Sequence, residues 1–337
     1  MHDTANRDTI LVLTHVRDRH SDLVIDALTR RGVPVIRFHT EDFPQQATVG
    51  VSISNQGTQQ ILTCNGREHR LDRVKSVWNR RPQPPHVASE LKEIDRVFAS
   101  DQCTHLLRAL WAILGDRFWV NRPEASRHGS LKPLQLTVAR ELGFHIPRTL
   151  VTNRPEDVAA FVAACGGDAV YKTFTPYTAV DDEGHAVVMY TRRLSGADLE
   201  RVNGLRFAPG ILQEYVPKQV ELRVTVIGAR AFAVEIHSQQ SERSREDWRR
   251  YDLANTPYHR HMLPADVERR CAELVARLGL VTGCIDMVLT PDGRYVFLEI
   301  NPDGQWYWLQ QLTGVPLLEH FVEMLAQGTL DYAAATH

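Results

Sequence analysis

The period of the apolar positions changes along the chain, and the change predicts two textures of fold. "TILVLTH" (9–15) is a run of apolar β-formers, and "SDLVIDALTRRG" follows with apolar residues at helical spacing and Gly32 as its stop. "VPVIRFHT" (33–40) then reads as a second strand. Strand, helix and strand in such close succession predict a right-handed βαβ unit in a largely parallel sheet. "VGVSIS", "QQILTC" and "SVWNRRP" predict further strands, "PQPPH" a loop and residues 88–115 a helical region. "FWVNRP" closes this first unit, with a boundary near 121–126.

Beyond it the pattern shifts to hairpins. A helix is expected over about 130–142 with Ser130 as its N-cap, then "GFHIPRTLVT", an amphipathic "RPEDVAAFVAACGG" and a strand "DAVYKTF". "DDEG" reads as the turn of a hairpin that continues into "HAVVMYTRRL". "ILQEYV", "VELRVTVIGARAFAVEIHS", a helix over 265–279, "TGCIDMVLTPDGRYVFLEINPDG" and a terminal helix near 315–327 complete the chain. "IGAR" and "TPDGR" are tight-turn signals. The fold class expected is therefore α/β followed by α+β rich in antiparallel sheet.

Chemistry enters with "LEINPDGQW" (298–306), where an apolar strand ends in oxygen-bearing side chains. Side chains alternate along a strand, so Glu299 and Asn301 share a face. If the hairpin register brings Asp286 of "CIDMVL" alongside, two carboxylates and a carboxamide meet, a donor set that suits Mg²⁺. The plainer reading is a solvated sheet followed by a turn. The apolar flanks, Ile285, Met287, Val288, Phe297, Leu298 and Ile300, argue against it. Lys172 sits inside the hydrophobic "AVYKTF" and Lys132 near a helix start in "GSLKPLQL". Alone, either is an ordinary solvated lysine; beside a carboxylate cluster both become candidates for nucleotide phosphates. "ILQEYVPKQVELRVTVIG" (211–228) carries Glu214, Glu221 and Arg223 in otherwise apolar sequence, fitting an adenine-reading backbone, a ribose acceptor and a phosphate-binding guanidinium. No GxxxxGK[ST] loop exists, which excludes a P-loop site.

Composition narrows the class further. At 337 residues, 43% hydrophobic and 24% charged, the chain is an ordinary globular protein with room for more than one packed unit. A formal net charge of −2 argues against a general nucleic-acid partner. The five cysteines have no CxxC spacing, which suits buried reduced thiols. "LLRALWAILGDRFWV" is too short and too charged to span a membrane, and "MHDTANRDTI" is no secretory signal, so a cytoplasmic protein is expected. His259 and His261 read as surface or structural residues, and Arg80-Arg81 fits an anchor between units.

Lysine on a helix, lysine on a strand, an acidic hinge and then Asp, Glu and Asn in that order resemble the ATP-grasp ligases over roughly residues 120–325. "VWNRRP", "NRPEASRHGSLKPLQLTVARELGFHIPRTLVTN" and "IHSQ" with "EDWRRYD" (246–252) extend the likeness to the microviridin-type, graspetide-forming peptide macrocyclases. The resemblance implies an N-terminal open α/β, pre-ATP-grasp domain (1–122), a central ATP-grasp subdomain (123–212) and a C-terminal subdomain bearing the Mg²⁺ and ATP site (213–337). It implies that Lys132 and Lys172 contact ATP phosphates, that Glu214, Tyr215, Val216 and Glu221 hold adenosine, and that Asp286, Glu299 and Asn301 hold Mg²⁺. Lys172 and Arg223 would serve catalysis. The implied partner is a ribosomal precursor peptide with a leader and an acidic core. An Asp or Glu of that core is activated as an acyl phosphate and captured by a Ser or Thr hydroxyl (ester) or a Lys amine (amide). Arg243, Arg245, Trp248 and Arg249 fit a lid over the core, and Arg192, Arg193 and Asp198 a leader site, although charged surface explains either segment. A homodimer is also compatible with the likeness. The rival readings are a ligase joining amino acids or extending a peptide terminus, and a non-catalytic peptide-binding protein of the same fold.

Overall fold

The computed structural model describes residues 7–175, 177–180, 183, 186–240 and 255–333. β1 (Thr9–Thr14) is buried along its whole length, as an unbroken apolar run must be when both faces of a parallel sheet are covered. α1 (Arg19–Arg30) starts where the Asp18 carboxylate accepts the His20 backbone N–H, and it leads to β2 (Val35–His39). β3 (Thr48–Ser54), β4 (Gly57–Cys64) and β5 (Arg67–Arg70) form a separate antiparallel sheet. β6 (Val74–Asn79), α2 (Glu93–Ile113) and β7 (Phe118–Val120) complete the first unit. Its main sheet runs β2-β1-β6-β7, with every pair parallel.

Next come α3 (Pro123–Gly129) and α4 (Lys132–Glu141). Ser130 is not an N-cap: it closes α3, its hydroxyl donating to the Ser126 carbonyl, and α4 starts at Lys132 with Leu131 as its cap residue. The expected single helix is thus two, because the polar Ser130 finds its nearest backbone partner in the helix behind it.

β8 (Thr149–Thr152), α5 (Val158–Ala164) and β9 (Ala169–Lys172) follow, then a hairpin of β10 (Tyr177–Val180) and β11 (Ala186–Met189). Most of the "DDEG" turn lies outside the described residues. The predicted run through "HAVVMYTRRL" is broken: β12 (Arg192–Arg193) leaves the hairpin and pairs with β9. After α6 (Gly196–Glu200) and β13 (Gly210–Glu214) the second sheet is complete, in the order β12-β9-β13-β8.

β14 (Val220–Ile227), β15 (Arg230–Ile236) and β16 (Tyr258–His261) precede α7 (Ala265–Arg277), β17 (Thr282–Leu289) and β18 (Tyr295–Asn301). These strands make an antiparallel sheet ordered β16-β15-β14-β17-β18. α4 and α7 cover one face through Leu136, Leu274, Ile285, Met287, Phe297 and Ile300. α8 (Tyr307–Thr313) and α9 (Leu317–Gln327) return to the first unit, where Trp306, Leu317 and Phe321 share a core with Ile10, Val24, Leu28 and Trp78. Cys64, Cys271 and Cys284 are buried free thiols, while Cys103 and Cys165 are half-buried. Among the described residues no helix is long and apolar enough to cross a membrane.

Candidate active site

The face of the C-terminal sheet opposite α4 and α7 carries the polar groups. On β14 the even positions Leu222, Val224 and Val226 enter the core, whereas Glu221 and Arg223, both buried, point the other way. Arg223 pairs in register with Asp286 of β17, and its Nη1 donates to both carboxylate oxygens at 2.9 and 3.0 Å. Burial alone would lower the Arg223 pKa. The carboxylate of Asp286, with Cys284 and Glu299 nearby, reverses that and holds the guanidinium above its ordinary value.

Across the β17–β18 hairpin Asp286 lies opposite Glu299, and Cys284 opposite Asn301, so the register brings the three predicted oxygen donors to neighbouring positions. A β-bulge makes this possible. Met287 pairs with Phe297 and Asp286 with Glu299, leaving Leu298 as the extra residue. Phe297 therefore stays in the core, while Leu298 and Glu299 both line the cleft.

α4 supplies the cation. The Gln135 carboxamide donates to the Gly129 and Ile300 carbonyls and accepts the Ile300 backbone N–H, clamping the helix to β18. One turn earlier, Lys132 Nζ then lies 3.1 Å from Glu299 Oε2 and donates to the Thr173 carbonyl just past β9.

Asp286 and Glu299 line a cleft of about 570 Å³ between the β12-β9-β13-β8 sheet and the C-terminal sheet, together with Lys172, Glu214, Tyr215, Val216 and Glu221. Lys132, Arg223 and Asn301 are not part of its lining. Seven of the predicted positions thus meet in one cavity. Glu214 accepts the Arg148 backbone N–H at 3.1 Å. Glu221 accepts from Lys218 Nζ at 3.0 Å and from the Ser238 hydroxyl at 2.6 Å. Lys218 and the apolar liners Val170, Val288 and Leu298 escaped sequence reasoning. A lysine three residues before a buried glutamate was the one signal available for Lys218.

The two arginines of β12 diverge, as strand alternation requires. Arg193 pairs with Asp168 and stacks 3.6 Å from the ring centre of Tyr215, a residue that lines the cleft. Arg192 pairs with Asp198 at 2.6 Å and lines a second cavity of about 820 Å³ with Tyr171, Leu199 and Leu212. Arg243, Arg245, Trp248 and Arg249 lie outside the described residues. His261 is hydrogen-bonded to Glu235 and Tyr295, in line with a structural role. Among the described residues no group of three or more His, Cys, Asp or Glu side chains is arranged to hold a metal. The candidate set is instead two carboxylates and a carboxamide, hard oxygens that suit an ion keeping several waters and sharing phosphate oxygens. In this structure each carboxylate is paired with a cation, Asp286 with Arg223 and Glu299 with Lys132.

A profile of the MvdD pre-ATP grasp domain matches residues 9–127. Nothing among the curated proteins matches the chain. Solved structures that align over nearly the full length include three peptide-modifying or ATP-grasp enzymes. The macrocyclase MdnC of Microcystis aeruginosa MRC, bound with precursor peptide MdnA, is 32% identical with a TM-score of 0.83, covering 95% of this chain and 99% of that one. The RiPP-associated ATP-grasp ligase of Chryseobacterium gregarium, in complex with ADP and a leader and core peptide, is 29% identical with a TM-score of 0.87, covering 95% and 97%. The macrocyclase MdnB of Microcystis aeruginosa MRC is 29% identical with a TM-score of 0.77, covering 94% and 99%. The cleft between two sheets, the parallel N-terminal unit and these full-length alignments together make the fold an ATP-grasp fold, and the chain belongs to the family of RiPP-associated ATP-grasp macrocyclases.

Proposed function

We propose that the protein is an ATP- and Mg²⁺-dependent ligase that macrocyclises a ribosomally made precursor peptide, closing side-chain esters or amides. The observation that carries this reading is the convergence of Lys172, Glu214, Tyr215, Val216, Glu221, Asp286 and Glu299 on one cleft, with Arg223 buried against Asp286. In this reading residues 1–122, 123–212 and 213–337 act as three units around it. Tyr215 and Val216 face the adenine, Glu221 accepts ribose hydroxyls, and Lys132, Lys172 and Arg223 neutralise phosphate oxygens. Asp286, Glu299 and Asn301 hold Mg²⁺, which supplies charge neutralisation at the phosphates.

The chemistry balances without an external redox partner. A core carboxylate oxygen bonds to the terminal phosphorus as ADP leaves. A Ser or Thr hydroxyl, or a Lys amine, of the same peptide then attacks the acyl carbon, and phosphate departs with the net loss of one water. The chain's part is to hold both peptide groups together, which makes closure effectively unimolecular. The cavity bordered by Arg192 and Asp198 lies apart from the nucleotide cleft and fits the leader segment. The arginines of 243–249 fit the acidic core. Intact-mass analysis of the precursor encoded beside this gene, with ATP and Mg²⁺, tests the reading. Loss of one water per ring, absent without ATP, is expected; a gain of one amino-acid residue instead would overturn it in favour of a ligase that joins free amino acids.

A further inference from the structure

The loop that follows the metal-candidate strand is held by the N-terminal unit. Asn301 ends β18, and its Oδ1 accepts the Asp303 backbone N–H at 3.0 Å. The next two carbonyls then point away from the C-terminal sheet. That of Pro302 accepts from Asn121 Nδ2 at 3.2 Å. That of Asp303 accepts from Arg80 Nη1 at 2.6 Å and from Arg81 Nε and Nη2 at 3.3 and 3.0 Å. Three donors from two guanidinium groups converge on this one peptide oxygen, and the same two groups face the Asp303 carboxylate.

The two arginines are built differently. Arg80 is buried and fixed by Asp18, whose Oδ2 lies 3.4 Å from its Nε, and by its own backbone N–H to the Leu13 carbonyl. Arg81 is exposed, and its backbone is left-handed at φ 51°, a conformation that arginine adopts only under constraint from its surroundings. The side of the loop facing β14 and β17 is equally constrained: a Cβ at Gly304 would lie 2.7 Å from Arg223 Nη2 and 2.5 Å from Cys284 Cβ. The loop is therefore clasped between Arg80 and Arg81 on one side and the catalytic candidate Arg223 on the other.

We infer that Arg81, together with Arg80, is a positioning residue for the metal site, by which the N-terminal unit sets the orientation of Asn301. This rests on the assignment of Asn301 and its neighbours to Mg²⁺. The clasp on the Asp303 carbonyl, with Asn121 on the Pro302 carbonyl, holds the loop where the Asp303 N–H meets Asn301 Oδ1. That hydrogen bond uses one lone pair of Oδ1 and fixes the orientation of the carboxamide at the strand end, leaving the second lone pair for a cation. Outer groups that orient a ligand in this way typically change metal affinity 10–100-fold when removed.

The test is binding of a fluorescent ADP analogue to the full-length protein, titrated with Mg²⁺, for wild type, Arg81→Ala and Arg81→Lys. Arg81→Ala is expected to raise the Mg²⁺ concentration for half-maximal binding about tenfold. Binding without Mg²⁺ and the melting temperature should stay at wild-type values, because Arg81 is exposed. Arg81→Lys, which retains the charge but not the fork, should fall between. An unchanged Mg²⁺ midpoint in Arg81→Ala overturns the inference. So does an equal loss with and without Mg²⁺, which would mean a general structural role. A wild type that binds nucleotide with no Mg²⁺ dependence overturns the metal assignment itself, and this inference with it.

Discussion

Two carboxylates that look equivalent in sequence do different work at the residue scale. Asp286 is buried and shares both its oxygens with Arg223. Asp286→Ala is therefore expected to leave a buried cation uncompensated and to cost about 3–5 kcal/mol of stability. Glu299 keeps some solvent contact and meets Lys132 at 3.1 Å. Glu299→Gln preserves shape and one acceptor, so stability should change by less than ~1 kcal/mol. Turnover, by contrast, should be abolished, with peptide binding retained, because a ligand and its charge are lost at the phosphates. Urea denaturation, ADP release and peptide anisotropy on both variants separate the roles. Full activity in Glu299→Gln would remove Glu299 from the metal set.

At the scale of elements, the hairpin β17–β18 was legible because alternation and the Pro291-Asp292-Gly293 turn specify it, and the shared face of Glu299 and Asn301 follows. Strict alternation would put Phe297 on that face as well, and there the structure differs. The bulge at Leu298 separates Phe297 from Glu299, and a bulge made of an ordinary leucine leaves no compositional mark. Gln135 was illegible for a related reason. Its three hydrogen bonds depend on α4 crossing β18, a tertiary fact that no local pattern encodes. Gly304 reads in sequence as a turn residue, yet what it supplies is the absence of a side chain against Cys284 and Arg223. Gly304→Ala is expected to cost about 1–3 kcal/mol through overpacking and to lower turnover by shifting Arg223. Denaturation midpoints within experimental error of wild type would show that the loop yields more easily than its contacts imply.

For the whole molecule, the seam between first and last segments is the feature the sequence left unread, apart from the expectation that Arg80-Arg81 anchors two units. α9 closes on α1, and His20 of α1 sits edge-on to Trp306, ring centres 4.3 Å apart, with Trp78 at 6.2 Å. Burial, reinforced by the nearby Arg80 and Arg81 charges and only partly opposed by Asp18, pushes the His20 pKa down from 6.5 to about 3. Above pH 6.5 His20 is neutral in both folded and unfolded chains and adds no pH dependence. Below it the unfolded chain takes up a proton that the folded seam refuses. Stability therefore falls as pH drops from 6.5 toward 3, by up to about 1.4 kcal/mol per unit. Between pH 7 and pH 5 this one group should account for about 2 kcal/mol. His20→Phe keeps an aromatic edge against Trp306 and cannot titrate. Whatever its stability at pH 7, its loss on going to pH 5 should be smaller than wild type by that amount, as urea unfolding at the two pH values would measure. Parallel profiles for the two proteins would mean that the seam admits the imidazolium, and with it enough water to solvate a charge between the N-terminal unit and the loop that follows Asn301.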